Sequence, residues 1–153
     1  MARAGFWAVS SGAISFRRDG RWYSDDEPIN NARIALLFSR CLRRTDDGRW
    51  QIAMGDERAF VTIEDTPWVV TAVTPAPPDG FRLRLNDGSE EMLDPTSLTV
   101  GAANVLYTRV KGGYRARFLR PAYYQLAPAI EERDGRFVLA SAGGYTEIAR
   151  DVS

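Results

Sequence analysis

Turn dipeptides recur so closely along this chain that the room between them suits mainly short strands. Asp19-Gly20, Gly55-Asp56, Asp87-Gly88, Gly112-Gly113 and Asp134-Gly135 each favour the positive φ that a tight hairpin needs. A further turn falls at Ala142-Gly143-Gly144. The flanking runs are rich in apolar and β-forming residues: 14–18 and 21–24, 49–54 and 57–63, 81–85 and 89–93, 137–140 and 145–149. A strong β run, 68–73, follows the turn at Pro67.

One segment breaks the pattern. In residues 30–44, Ile34, Leu37, Phe38, Cys41 and Leu42 recur at helical spacing. Asn30 or Asn31 can cap the start, and Arg40, Arg43 and Arg44 fall in the last two turns, where cations favour the helix dipole. Cys41 lies on the apolar stripe and reads as a small core residue. As the only cysteine it excludes an internal disulfide and suggests a reducing compartment. The opening stretch through Phe16 has neither a signal-peptide core nor the length of a membrane span, so a soluble cytoplasmic protein is expected.

Several function classes fall away. The chain has no histidine, which removes the usual general base, the serine triad and most zinc sites. It has no phosphate-cradling GxxxxGK[ST] loop and no paired-cysteine motif. Glu64 and Asp65 are adjacent carboxylates, but ahead of Pro67 they read as turn residues. The formal net charge is +0 with pI ≈ 6.3, which argues against non-specific nucleic-acid binding. No catalytic residue, metal, cofactor or membrane association is expected.

Three prolines among residues 75–78 stiffen the chain and suggest a boundary there. The halves on either side share landmarks in one order: Asp19-Gly20 with Asp87-Gly88, Pro28 with Pro95, the Gly55 turn with the Gly112 turn, and Pro67 with Pro121. This order suggests two copies of one β-rich unit, the second about ten residues shorter where the first has its helix.

Residues 109–126, RVKGGYRARFLRPAYYQL, hold five of the chain's 20 basic residues, and residues 95–130 contain no acid at all. Such a region attracts phosphate or carboxylate unless acids elsewhere, such as Glu90, Glu91, Glu131 and Glu132, neutralise it. A two-residue Gly112-Gly113 loop would put Arg109 and Lys111 on one face of the hairpin and Arg115 and Arg117 on the other. An odd loop length would undo that parity. Arg109, Arg115, Arg117 and Arg120 are the candidate anion contacts, with Trp68, Tyr123 and Tyr124 as candidate stacking surfaces. In a regular strand Tyr123 and Tyr124 would face opposite ways, leaving one in the core.

Taken together, DGRWY, EPI, LLFSRCLRR, IEDTPW, NDG, RVKGGYRARF and RPAYYQL resemble the bacterial domain-of-unknown-function family 1285, DUF1285, over residues 20–126. The resemblance implies an α+β fold with a duplicated core and a second lobe like a pleckstrin-homology domain. It also implies a site between the lobes for a nucleotide-type ligand, in a signalling context. The family often carries a basic residue where this chain has Asn31 and Leu36.

The expectation is therefore an α+β protein of two related β-rich lobes, residues 1–78 and 79–153, with the main helix in the first. Its expected role is regulatory or signal-transducing binding of an anionic small molecule, a nucleotide type included, between the lobes. The alternative is a protein–protein interaction module with no small-molecule ligand, recruiting its partner by strand addition.

Overall fold

The structure, a computed structural model, describes residues 13–78, 80–141 and 143–151. Most of the opening stretch, and Asp79 and Ala142 of two expected turns, lie outside the described residues. The architecture is α+β, with three sheets and two α-helices among the described residues. No helix among them is long and apolar enough to cross a membrane. The chain divides into two compact units between Pro67 and Trp68.

The first unit runs β1 (Ile14–Phe16), β2 (Trp22–Ser24), β3 (Glu27–Pro28), α1 (Ala32–Arg40), β4 (Leu42–Arg44), β5 (Trp50–Met54) and β6 (Glu57–Ile63). Its six-stranded sheet has the order β3-β2-β1-β6-β5-β4, with β1 parallel to β6 and the other neighbours antiparallel. Trp22 centres the core at 1% exposure. Its ring meets Phe16 at 4.9 Å and Phe38 edge-on at 5.8 Å, and its indole N–H donates to Ser39 Oγ at 2.9 Å.

Helix α1 is shorter than the expected 30–44. Asn31 caps it, its side-chain oxygen accepting from the N–H groups of Arg33 and Ile34. The helix stops at Arg40, because Leu42 pairs with Ile52 and Arg44 with Trp50 across β4 and β5. Sheet pairing buries Leu42 beside the fully buried Ile52, which a fourth helical turn could not do. Cys41 is thus the C-cap residue, half-buried rather than in the core.

The second unit runs β7 (Trp68–Ala76), β8 (Gly80–Leu85), β9 (Glu90–Met92), a 3-10 turn (Pro95–Ser97), β10 (Thr99–Val100), β11 (Leu106–Val110) and β12 (Tyr114–Phe118). There follow α2 (Arg120–Leu126), β13 (Ile130–Arg133), β14 (Arg136–Ser141), β15 (Gly144–Glu147) and β16 (Ala149–Arg150). Seven strands form one sheet, ordered β9-β8-β7-β12-β11-β10-β16, and β13-β14-β15 form a small second sheet. The proline-rich segment is not the boundary. It lies at the β7–β8 turn, and Pro75 pairs with Phe81 inside that hairpin. Strand β12 meets β7 only along Trp68–Val70, so the missing Pro75 N–H falls on an edge that no ladder uses.

Six strands follow the same order in both units, with one corresponding parallel pair, β1 with β6 and β7 with β12. The second unit adds β16, parallel to β10. The two copies span nearly equal lengths, so no ten-residue deletion exists. The expected deletion came from matching unlike turns: Asp19-Gly20 joins β1 to β2, whereas Asp87-Gly88 joins β8 to β9. The Gly55 and Gly112 turns are true counterparts, joining β5 to β6 and β11 to β12.

Removal of Ser39 Oγ would leave the buried Trp22 indole N–H without its acceptor. Ser39→Ala is expected to cost about 1–3 kcal/mol, read from urea unfolding by tryptophan fluorescence. A midpoint equal to that of the parent would remove this bond from the account of the core.

Candidate functional site

The hairpin of β11 and β12 places the arginines. Val110 pairs with Tyr114, so the loop has three residues, Lys111-Gly112-Gly113, at φ values of 52°, 81° and 145°. This odd loop reverses the expected parity. Tyr107 now lies opposite Arg117, and Arg109 directly opposite Arg115. Arg109, Arg115 and Arg117 therefore share one face with Tyr107, while Leu106, Thr108, Val110, Ala116 and Phe118 face the core, each at 4% exposure or less.

Several contacts fix this face. The Arg109 N–H donates to Ser97 Oγ at 3.1 Å, a partner that the short β10 does not provide. Arg109 Nη1 donates to the Gly113 carbonyl at 2.8 Å. The Arg115 guanidinium lies 3.9 Å over the Tyr107 ring and 3.2 Å from the Asp151 carboxylate. A Cβ on Gly101 would come within 2.9 Å of that tyrosine ring, so glycine permits the packing.

Lys111 does not join the arginines. Its ammonium reaches Asp87 at 2.7 Å and sits 5.2 Å from the Trp68 ring centre, and its backbone N–H donates to the Glu91 carboxylate at 3.1 Å. Burial alone would raise the Asp87 pKa. Hydrogen bonds from Lys111 and Ser89, with the Lys111 charge, outweigh burial and hold the carboxyl below its ordinary value. The single lysine thus ties the β11–β12 turn to the β8–β9 turn.

Among the other candidates, Trp68 pairs with Ala116 and so belongs to the core side, 7% exposed and packed on Tyr114 at 5.4 Å. It offers no open stacking surface. Tyr123 and Tyr124 are on helix α2, not a strand. Both are exposed, at 37% and 62%, with rings 5.7 Å apart, and Ala122 and Leu126 are the residues that α2 buries. Tyr123 lines a cleft with Leu106, which alternates with Tyr107, so that cleft opens on the side away from the arginines. Arg120 is exposed at the start of α2.

The adjacent carboxylates of the first unit have a structural role at Glu64. Its carboxylate accepts from the Arg18 backbone N–H at 2.8 Å and lies 3.3 Å from the Arg18 guanidinium, and the backbone bond first, then the charge, lower its pKa. No group of three or more Cys, Asp or Glu side chains gathers as a metal site would require among the described residues.

No family model and no curated protein matches the chain. Two solved structures do. A DUF1285 family protein from Silicibacter pomeroyi DSS-3 is similar over 90% of this chain and 80% of its own, with TM-score 0.70 and 24% identity. A DUF1285 family protein from Shewanella baltica OS155 is similar over 78% of this chain and 93% of its own, with TM-score 0.59 and 19% identity. The likeness establishes the fold and bears out the resemblance carried by the motifs. Neither description names a ligand or an activity.

The depressed Asp87 pKa makes a signed expectation. The Lys111–Asp87 pair stabilises fully above the unfolded-state carboxyl value of about 3.9, and the contribution is lost as pH falls through the lower folded-state value. Asp87→Asn should flatten the acid limb of stability against pH, measured by urea midpoints between about pH 2 and pH 6. Lys111→Met should cost about 1–3 kcal/mol at neutral pH by stranding a buried carboxylate. An unchanged acid limb in Asp87→Asn would assign that limb to other groups.

Proposed function

We propose that this protein binds a small multivalent anion, of phosphate or nucleotide type, on the face of β11 and β12 that carries Arg109, Arg115 and Arg117, and does not turn it over. The observation that carries this reading is the cross-strand pairing of Arg109 with Arg115. Like charges directly opposite one another destabilise a sheet. Asp151 offsets Arg115, and a bound anion would offset Arg109. Arginine suits the task because its planar fork donates two parallel hydrogen bonds to phosphate or carboxylate. Tyr107, already under one guanidinium, keeps that fork flat against the sheet. Arg120, close in sequence to β12, and Tyr124 are further candidate contacts. The non-catalytic part of the reading rests on the lack of histidine. A regulatory role, in which occupancy rather than turnover is the signal, follows from it.

One observation favours the alternative of a protein-interaction module. Among the described residues β15 pairs only with β14 and is largely exposed, which leaves an edge open to strand addition.

Calorimetric titration with pyrophosphate, mononucleotides and cyclic dinucleotides tests the two readings. Binding is expected to weaken as salt rises, and Arg109→Ala with Arg117→Ala is expected to weaken it by at least about tenfold. Undiminished affinity in that variant, or no heat with any of the anions, would refute the anion reading and leave the strand-edge one standing.

A further inference from the structure

The core side of the same sheet carries a second feature of different chemistry. Val100 pairs with Leu106 on one flank and with Arg150 on the other, so these three side chains form a single row across β11, β10 and β16. They line a cleft of about 390 Å³, within the size range of small-molecule sites. Ile130 and Phe137 of the small sheet, with Tyr123 of α2, complete much of its apolar wall. Phe137 and Tyr123 keep 40% and 37% of their surface exposed, so large apolar rings stand at the opening.

The polar groups of this cleft are few and of one kind. Arg150 and Asn104 are among its lining residues, and no acid is. Arg150 makes no ion pair with a described residue, whereas its neighbour Asp151 turns to the opposite face and is taken by Arg115. Ala103 and Asn104 hold consecutive positive φ values of 58° and 60° beside the cleft. Alanine has no intrinsic reason to adopt that conformation, and such strain concentrates where a loop must present its groups to a ligand.

We propose that this cleft binds a small carboxylic acid with an apolar body, the body against Val100, Leu106 and Phe137 and the carboxylate on Arg150 with the Asn104 amide beside it. The site is separate from the arginine face, because residues alternate sides along β11 and the two arrays use opposite sets. Charge selects the head group: a cation of the same shape would meet Arg150, and a neutral one would leave the guanidinium without a counterion. Apolar burial supplies most of the affinity, so binding grows with chain length until the cleft is full.

Backbone amide NMR spectra of the full chain, titrated with octanoate, octanol and octylammonium, test the assignment. Octanoate should shift the resonances of Val100, Leu106, Phe137 and Ile148 and bind at least about tenfold more tightly than the other two probes, the loss expected for one charge-assisted contact. Arg150→Gln should reduce octanoate to the affinity of octanol, and Phe137→Ala should weaken both. Both side chains are exposed, so these variants should retain the parent spectrum. Arg109→Ala with Arg117→Ala should leave octanoate binding unchanged, whatever that variant does to phosphate. Equal affinity for octanol and octanoate, an unaffected Arg150→Gln, loss of octanoate binding in the arginine-face variant, or no shift at the cleft would each overturn the proposal.

Discussion

Each unit has a parallel pairing at the middle of its sheet, β1 with β6 and β7 with β12, and the other strands are arranged on either side. Two parallel strands cannot be joined by a tight turn, so the chain between them must leave the pair and return. In the first unit that excursion is β2 to β5 with α1, and in the second it is β8 to β11. The closure is the same to the level of one hydrogen bond. The Glu64 N–H donates to the Phe16 carbonyl at 2.9 Å, and the Leu119 N–H donates to the Val70 carbonyl at 3.0 Å. Phe16 and Val70 are both buried to 1% exposure or less, so the closing bond sits over the core in each copy.

The register of that pairing decides what the second unit displays. Trp68 lies beside Ala116 and Val70 beside Phe118, which commits these four side chains to the core. The intervening Arg117 must then face away, and Arg109 and Arg115 follow it through the β11–β12 ladder. A shift by one residue would bury three guanidinium groups and expose Ala116 and Phe118, an exchange that desolvation of the charges forbids. The basic face is thus a consequence of core packing.

Hairpins, the main helix and the repeat were legible in the sequence because turn residues and apolar periodicity act locally. What was not legible depended on partners far along the chain. Leu42 continues the helical stripe of residues 34–41, yet it becomes a strand because Ile52 is waiting in β5. Residues 121–126 contain two tyrosines that suggest a strand, but Pro121 near the helix start and the buried Ala122 and Leu126 fit a helix packed on β7. The faces of the arginines turned on a single residue of loop length, since both Lys111 and Gly112-Gly113 take positive φ and the sequence alone suggested only the glycines. The seven arginine and aromatic candidates separate in the fold: Arg109, Arg115 and Arg117 share one sheet face, Trp68 lies in the core, and Arg120, Tyr123 and Tyr124 lie on α2. Ala103 carried no signal for its positive φ, and the run 145–149 gave no sign that Ala149 would leave that hairpin to pair with β10.

Comparison of the copies separates what the fold requires from what the second unit adds. The hairpin of β5 and β6 is the counterpart of β11 and β12, and its core side is apolar in the same way, with Ile52 and Met54 buried. Its opposite side carries Gln51 facing Phe60 and Ala53 facing Arg58. No pair of arginines stands opposed there, and Phe60 is covered instead by the Arg49 guanidinium at 4.0 Å. The first copy shows that this hairpin closes its sheet without two arginines directly opposed. Repulsion between Arg109 and Arg115 is therefore not a cost that the topology imposes. Lys111 is neutralised by Asp87 at the turn, whereas Arg115 is neutralised by Asp151 on the sheet face.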